Sequence, residues 1–210
     1  AQDSGGALMR TLIFLIALLL HAAPEVHARA AGADPFEFLF LDAGARQSAL
    51  GGAFAAGRDD ANVMAYNPAG LATLFEHRAA FLHENRFSGV TRERLSAASL
   101  GGFGASIDYL NYGSIQRTTL ARPSGAGLDS FTPISLAAAL GYGWPAAENL
   151  ALGASVKLIR ETIDDVTAQG FAFDLGAQTQ LTADPGLVVG LAVQNIGPKV
   201  RFQTVRENLP

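Results

Sequence analysis

The chain has 210 residues and a formal net charge of −4, with 16% of residues charged, against roughly 25% in an average soluble domain. Apolar residues make up 49%, glycine contributes 23 positions and cysteine is absent. These values exclude a disordered chain, a basic nucleic-acid-binding surface, a disulfide framework and any thiol or Cys-ligated metal chemistry.

The first element in chain order reads as an export signal. Met9-Arg10 precedes the apolar run Thr11–Leu20, Pro24 follows it, and Ala28-Arg29-Ala30 supplies a small-x-small cleavage site. A basic start, a short apolar centre and an A-x-A end are the parts of a secretory signal peptide. The run is too short for a spanning helix, which needs ~20 residues. Residues 1–8 read as an upstream extension, so 1–30 is a signal unit, and the mature chain starts at Ala31 as an exported protein. Beyond residue 30 no window reaches the length of a helical span. A mature chain in a membrane must therefore be a β-barrel, the other structure that satisfies every backbone polar group.

Residues 31–76 form a second unit rich in small residues. Gly51-Gly52 permits a tight turn or close backbone approach. Asn67 is a good N-cap and Pro68 fits the first helical position, so Ala69–Phe75 is expected to be a short helix. A segment of this kind could fold back inside a barrel and fill it.

From 77 to 210 the apolar pattern has the period of strands. Phe103, Ala105, Ile107 and Tyr109 alternate with small or polar residues, and so do Leu136, Leu140 and Tyr142, then Leu152, Val156 and Leu158, Phe171, Phe173 and Leu175, and Leu187, Val189 and Leu191. Seven strands are expected, at 77–87, 92–100, 103–112, 131–144, 150–162, 169–181 and 187–196. Their length suits tilted membrane strands. Short links at 101–102, 145–149 and 182–186 alternate with longer ones at 113–130 and 163–168, the outer-membrane pattern. That order places residues 31–76 on the periplasmic side. Tyr109, Tyr112, Tyr142, Trp144, Phe171 and Phe173 lie near strand ends and would form aromatic girdles in contact with outer-membrane lipid. The opposite faces carry Asp108, Lys157, Glu161 and Asp174, a polar set that would face the lumen and balance charge there. A soluble sandwich shares the alternation.

Several segments resemble a known family. Gly44-Ala45-Arg46 with Ala49–Phe54, then Asp59-Asp60-Ala61, Tyr66-Asn67-Pro68-Ala69-Gly70-Leu71, Gly170–Gly176 and Val193–Lys199 together look like the PorV/PorQ family of outer-membrane proteins, within the FadL-like barrels. The resemblance implies a hatch containing Gly51, Gly52, Asn67, Pro68, Ala69 and Gly70. It also implies accessory work in protein secretion of the type IX kind, with secretion components or exported cargo as partners. The alternative is a channel for hydrophobic small molecules. An apolar pocket against the hatch would favour the channel, and a sealed polar lumen the partner-binding role.

The expected fold is thus all-β, an antiparallel outer-membrane barrel with an N-terminal hatch. Seven strands and an end at Arg206–Pro210 without a closing strand are read as a C-terminal truncation. His77 and His83 share a face without a third ligand, so no metal site is expected. Asp59-Asp60 and Asp164-Asp165 read as solvated turns. No nucleophile elbow, P-loop or dinucleotide fingerprint occurs, so neither an enzyme nor a cofactor is expected.

Overall fold

The computed structural model describes residues 35–182 and 186–204. The signal unit 1–30, the Asp184-Pro185 turn and the C-terminal residues 205–210 lie outside the described residues.

The fold is all-β, mostly antiparallel sheet with few helical turns. The main sheet contains β1 (Arg78–Asn85), β2 (Thr91–Ala98), β3 (Phe103–Asn111), β6 (Ile134–Ala147), β7 (Leu150–Ile163), β8 (Val166–Gln180), β9 (Val188–Ile196) and β10 (Gln203–Thr204). Each strand pairs antiparallel with its sequence neighbour in the sheet, while β9 and β10 share one edge of β8. The small hairpin β4 (Ile115–Gln116) and β5 (Ser130–Phe131) sits in the link between β3 and β6. All seven expected strands are present, with ends shifted by a few residues. The expected 163–168 link shrinks to the two residues Asp164-Asp165, because β7 and β8 pair up to Ile163–Val166. Asp164 adopts φ 53 there, a conformation Asp tolerates in tight turns.

Among the described residues β1 pairs only with β2, and β9 and β10 only with β8. The sheet is not closed by these contacts.

Residues 36–76 are a string of short turns: 3₁₀ turns at Glu37–Phe40, Val63–Ala65 and Pro68–Thr73, and one short helix, α1 (Ala45–Ala49). The expected helix after Asn67 forms as the 3₁₀ turn Pro68–Thr73, capped by the Asn67 side chain as its sequence signal requires. The segment packs on one face of the sheet in two apolar clusters. Phe54, Val63, Met64, Leu71 and Leu74 meet Ala98, and Phe38 meets Leu110, Ala137, Ile159 and Ala172. Phe36 lies beside Gly170 and donates its N–H to Glu161, while Pro68 lies beside Gly143 and Gly153. The segment therefore runs along the sheet face from one end of the strands to the other.

Candidate functional site

The two faces of the sheet invert the usual order of a water-soluble protein. The face under residues 36–76 carries Arg92, Arg94, Ser96, Ser106, Asp108, Ser135, Ser155, Lys157, Glu161, Asp174 and Gln178, all buried. The opposite face carries the large apolar side chains, with Leu140 64% and Leu158 65% exposed while Asp174 is 0% exposed. Register partners form continuous apolar rows there. One row is Phe103, Tyr142, Ala154, Leu175 and Val193; another is Phe81, Leu95, Ile107, Ala138, Leu158 and Phe171. The following row turns polar, with His83, Glu93, Tyr109, Leu136, Arg160 and Gln169.

The expected aromatic set divides on this map. Trp144 and Tyr142 stack near one boundary of the apolar rows, with Phe103 at 4.8 Å from Tyr142 between ring centres. Tyr109 marks the other boundary. Phe171 and Phe173 lie within the band, in edge-to-face contact. Tyr112 is elsewhere: it packs against the buried Phe38 cluster, and its hydroxyl meets Ser135. It has the parity of Asp108 and Leu110, the positions of β3 that face residues 36–76, and this puts it on the buried face and removes it from the girdle. Between the rows, Ala97 and Ala105 leave a groove of about 890 Å³ bounded by Leu140, Tyr142, Val156 and Phe173.

On the buried face, the turn after Asn67 rests on a row of glycines. Gly143, Gly153 and Gly176 are register partners across β6, β7 and β8. A β-carbon on Gly153 would run into the Pro68 and Ala69 backbone, and one on Gly176 into the Asn67 amide oxygen. Only glycine permits this backbone-on-backbone approach. Asn67 Nδ2 donates to Ala55 O (2.7 Å), Ala177 O (3.0 Å) and Leu191 O (3.2 Å), while its Oδ1 accepts from the Ala69 N–H. Gln178 adds bonds to the Ala55 and Gly57 carbonyls. Of the other residues expected with Asn67, Ala69 and Gly70 are buried in this turn. Gly51 and Gly52 are set apart, in a positive-φ turn after α1.

Two ionic clusters hold the rest of the face. Asp108 accepts two bonds from Arg92 (2.8 and 2.6 Å) and one from Arg94 (2.8 Å). Arg92 also donates to the Asp42 carbonyl, tying the segment to β2. In the second cluster Asp174 accepts from Ser155 (2.7 Å), Lys157 (2.9 Å) and the Asn195 N–H (2.8 Å). Sequence reasoning found Asp108, Lys157, Glu161 and Asp174 but missed Arg92 and Arg94. Their signal was the period-2 spacing Arg92, Arg94, Ser96, Ala98, hidden because Glu93 between the two arginines breaks the apolar face of the strand. Tyr66 was missed as a polar residue: its hydroxyl donates to Asp42 Oδ1 and accepts from the Ala43 N–H. Burial pushes its phenol up to about 12.

Between the segment and the sheet is a cavity of about 380 Å³ lined by polar groups, among them Tyr66, Arg94, Ser106, Asp108, Lys157 and Asn195.

The sequence matches the model of the uncharacterised protein family UPF0164 over residues 21–208. The chain belongs to the UPF0164 family. It is similar to a UPF0164 protein of Treponema pallidum (strain Nichols), with 28% identity over 178 residues, covering 79% of this chain and 44% of the relative. The chain thus spans less than half the length of that curated relative. This assignment corrects the PorV/PorQ and FadL-like resemblance, because the UPF0164 match covers the same blocks that suggested it.

Proposed function

We propose that this UPF0164 chain forms part of an outer-membrane β-barrel whose lumen is occupied by its own residues 36–76, and that it serves envelope export or transport without catalysis. The observation that carries this reading is the inversion of the two sheet faces. In water, continuous rows of exposed Leu, Ile, Val and Phe would be an association liability. In lipid they are the required surface, with polar groups turned inward. The apolar rows from Leu150 to Leu158 extend ~26 Å along β7 at ~3.3 Å per residue. At a strand tilt of ~40° this is ~20 Å of depth, and the flanking rows bring it close to the ~25 Å band of such barrels. The signal-like residues 9–30 support passage out of the cytoplasm.

Within that reading, accessory work in protein export fits the inner face better than a hydrophobic channel. The cavity beside residues 36–76 has Leu39, Leu41 and Met64 in its wall but also the charged Asp42, Arg94, Asp108 and Lys157, which would penalise an apolar passenger. Partners would then be secretion components or exported cargo, met at the strand ends that carry the β4–β5 hairpin.

The test is reconstitution of the mature protein. The expected result is folding only with detergent or phospholipid vesicles, with Trp144 fluorescence quenched by brominated lipid. A folded monomer in detergent-free buffer would overturn the membrane reading. For export, a strain lacking the protein should lose surface display of secreted cargo. Intact display, together with hydrophobic ligand retained by the purified barrel, would overturn the export reading.

A further inference from the structure

We infer that the cavity between residues 36–76 and the sheet is a binding site for a small oxyanion, a carboxylate or phosphate group, held by Arg94 and Ser106. The inference goes beyond the membrane reading, since the cavity and its lining are the same whatever solvent meets the outer face.

The starting point is an imbalance at Asp108. Its carboxylate accepts a two-pronged contact from Arg92, at 2.8 and 2.6 Å, and that guanidinium also reaches the Asp42 carbonyl and Glu84. Arg92 is thus fully engaged. Arg94 is left with one bond, from Nη1 to Asp108 Oδ2 at 2.8 Å. Among the described residues its Nη2 has no acceptor, and its Nε is buried with no hydrogen-bond partner. Arg94 is only 9% exposed. A guanidinium offers five N–H donors in a planar fork, and leaving buried donors unmet is costly. Glu84 shares the charge of Arg92, so Asp108 can balance Arg94, and it is the unmet N–H donors of Arg94, not an excess of positive charge, that point to a ligand.

A second unmet group stands next to it. Ser106 is buried, and among the described residues its hydroxyl has no hydrogen-bond partner. Its cross-strand neighbour Ser96, by contrast, donates to Asn62 Oδ1 at 2.7 Å. Arg94 is paired with Asp108 and Ser96 with Ser106, so Arg94 and Ser106 are diagonal neighbours on one face, ~7–8 Å apart at the backbone. That is within the reach of an arginine side chain. Both line the 380 Å³ cavity, a volume suited to a small molecule. Lys157 lines its other side but is committed to Asp174 and Asn195, at 2.9 and 2.7 Å. It therefore contributes less to a ligand than Arg94. Asp42, whose Oδ1 accepts from Tyr66, also borders the cavity and sets a limit on the charge it can take. A singly charged carboxylate or monobasic phosphate fits better than a polyanion.

The experiment is a thermal unfolding titration of the purified chain in detergent with acetate and with inorganic phosphate, chloride holding ionic strength constant. Raised stability with at least one anion is expected, saturating in the millimolar range, and the stronger of the two distinguishes carboxylate from phosphate. Arg94→Gln should abolish the saturable shift. Because that variant could unfold, Ser106→Ala is the companion: it removes a hydroxyl without a protein partner and should weaken binding about tenfold while leaving stability without anion unchanged. Ser96→Ala should bind as the parent does. The inference is overturned if neither anion stabilises the parent, or if Ser106→Ala binds as tightly as the parent.

Discussion

Asp174 accepts the backbone N–H of Asn195 at 2.8 Å, and this bond sits at the one irregularity between β8 and β9. Between the pairs Phe173–Ile196 and Leu175–Val193, β9 contains an extra residue, and Asn195 takes φ 57 to accommodate it. The bulge turns the Asn195 side chain to accept from Lys157 Nζ at 2.7 Å. A strand defect and a buried ion pair are thus one structure.

Asp174→Asn should be strongly destabilising, since it leaves Lys157 buried without its carboxylate. The expected loss is about 3–5 kcal/mol in urea unfolding followed by Trp144 fluorescence. Replacing both members, Lys157→Met with Asp174→Leu, should recover much of that loss. Equal damage from the single and double variants would show that the bulge, and not the charge, is what Asp174 supports.

Asn67→Ala removes a cap and three donor contacts at once. A loss of about 2–4 kcal/mol is expected. Gly153→Ala should act on the same contact from the sheet side, by collision with the Pro68 backbone, at about 1–3 kcal/mol. Hydrogen exchange should locate both effects in residues 55–73 while β1 to β3 stay protected.

Arginine substitutions on the outer face report which solvent it meets. In phospholipid vesicles Leu158→Arg should cost about 2–4 kcal/mol and Gln169→Arg about 0–1 kcal/mol, because the second lies at the polar boundary. Equal and small effects at both positions would mean that the outer face meets water.

Tyr66 gives an alkaline signature. Its phenol ionises at about 12 in the folded chain, against 10.0 for the free group. The raised value means that the unfolded chain releases this proton first. Its stabilising contribution is complete below pH 10 and is lost as pH rises towards 12. Tyr66→Phe should be less stable than the parent at neutral pH, through the lost contacts to Asp42 and Ala43, but should show a shallower decline between pH 10 and 12.

The longer strands β6 to β9 were legible because the central positions of one face are apolar, and a period of two leaves few alternative registers. The cap at Asn67 was legible for a local reason, the N-P pair. The pairing of Arg92 and Arg94 was not, because Thr91 and Glu93 leave that end of β2 without an apolar face, and their partner Asp108 is on the next strand. The docking surface was hidden in another way. Gly143, Gly153 and Gly176 are unrelated in sequence and meet only through register. Short motifs misdirected the family reading, and the match to UPF0164 over residues 21–208 corrected it.

The contacts of Asn67 also make the turn depend on distant strands. Two of its three acceptors, Ala177 and Leu191, belong to β8 and β9, which follow it by more than a hundred positions in the chain. The turn is thus complete only when β8 and β9 are in place. A chain arrested before β9 would present Asn67 with an acceptor missing, so the same side chain that anchors the segment also registers that the sheet behind it has been built.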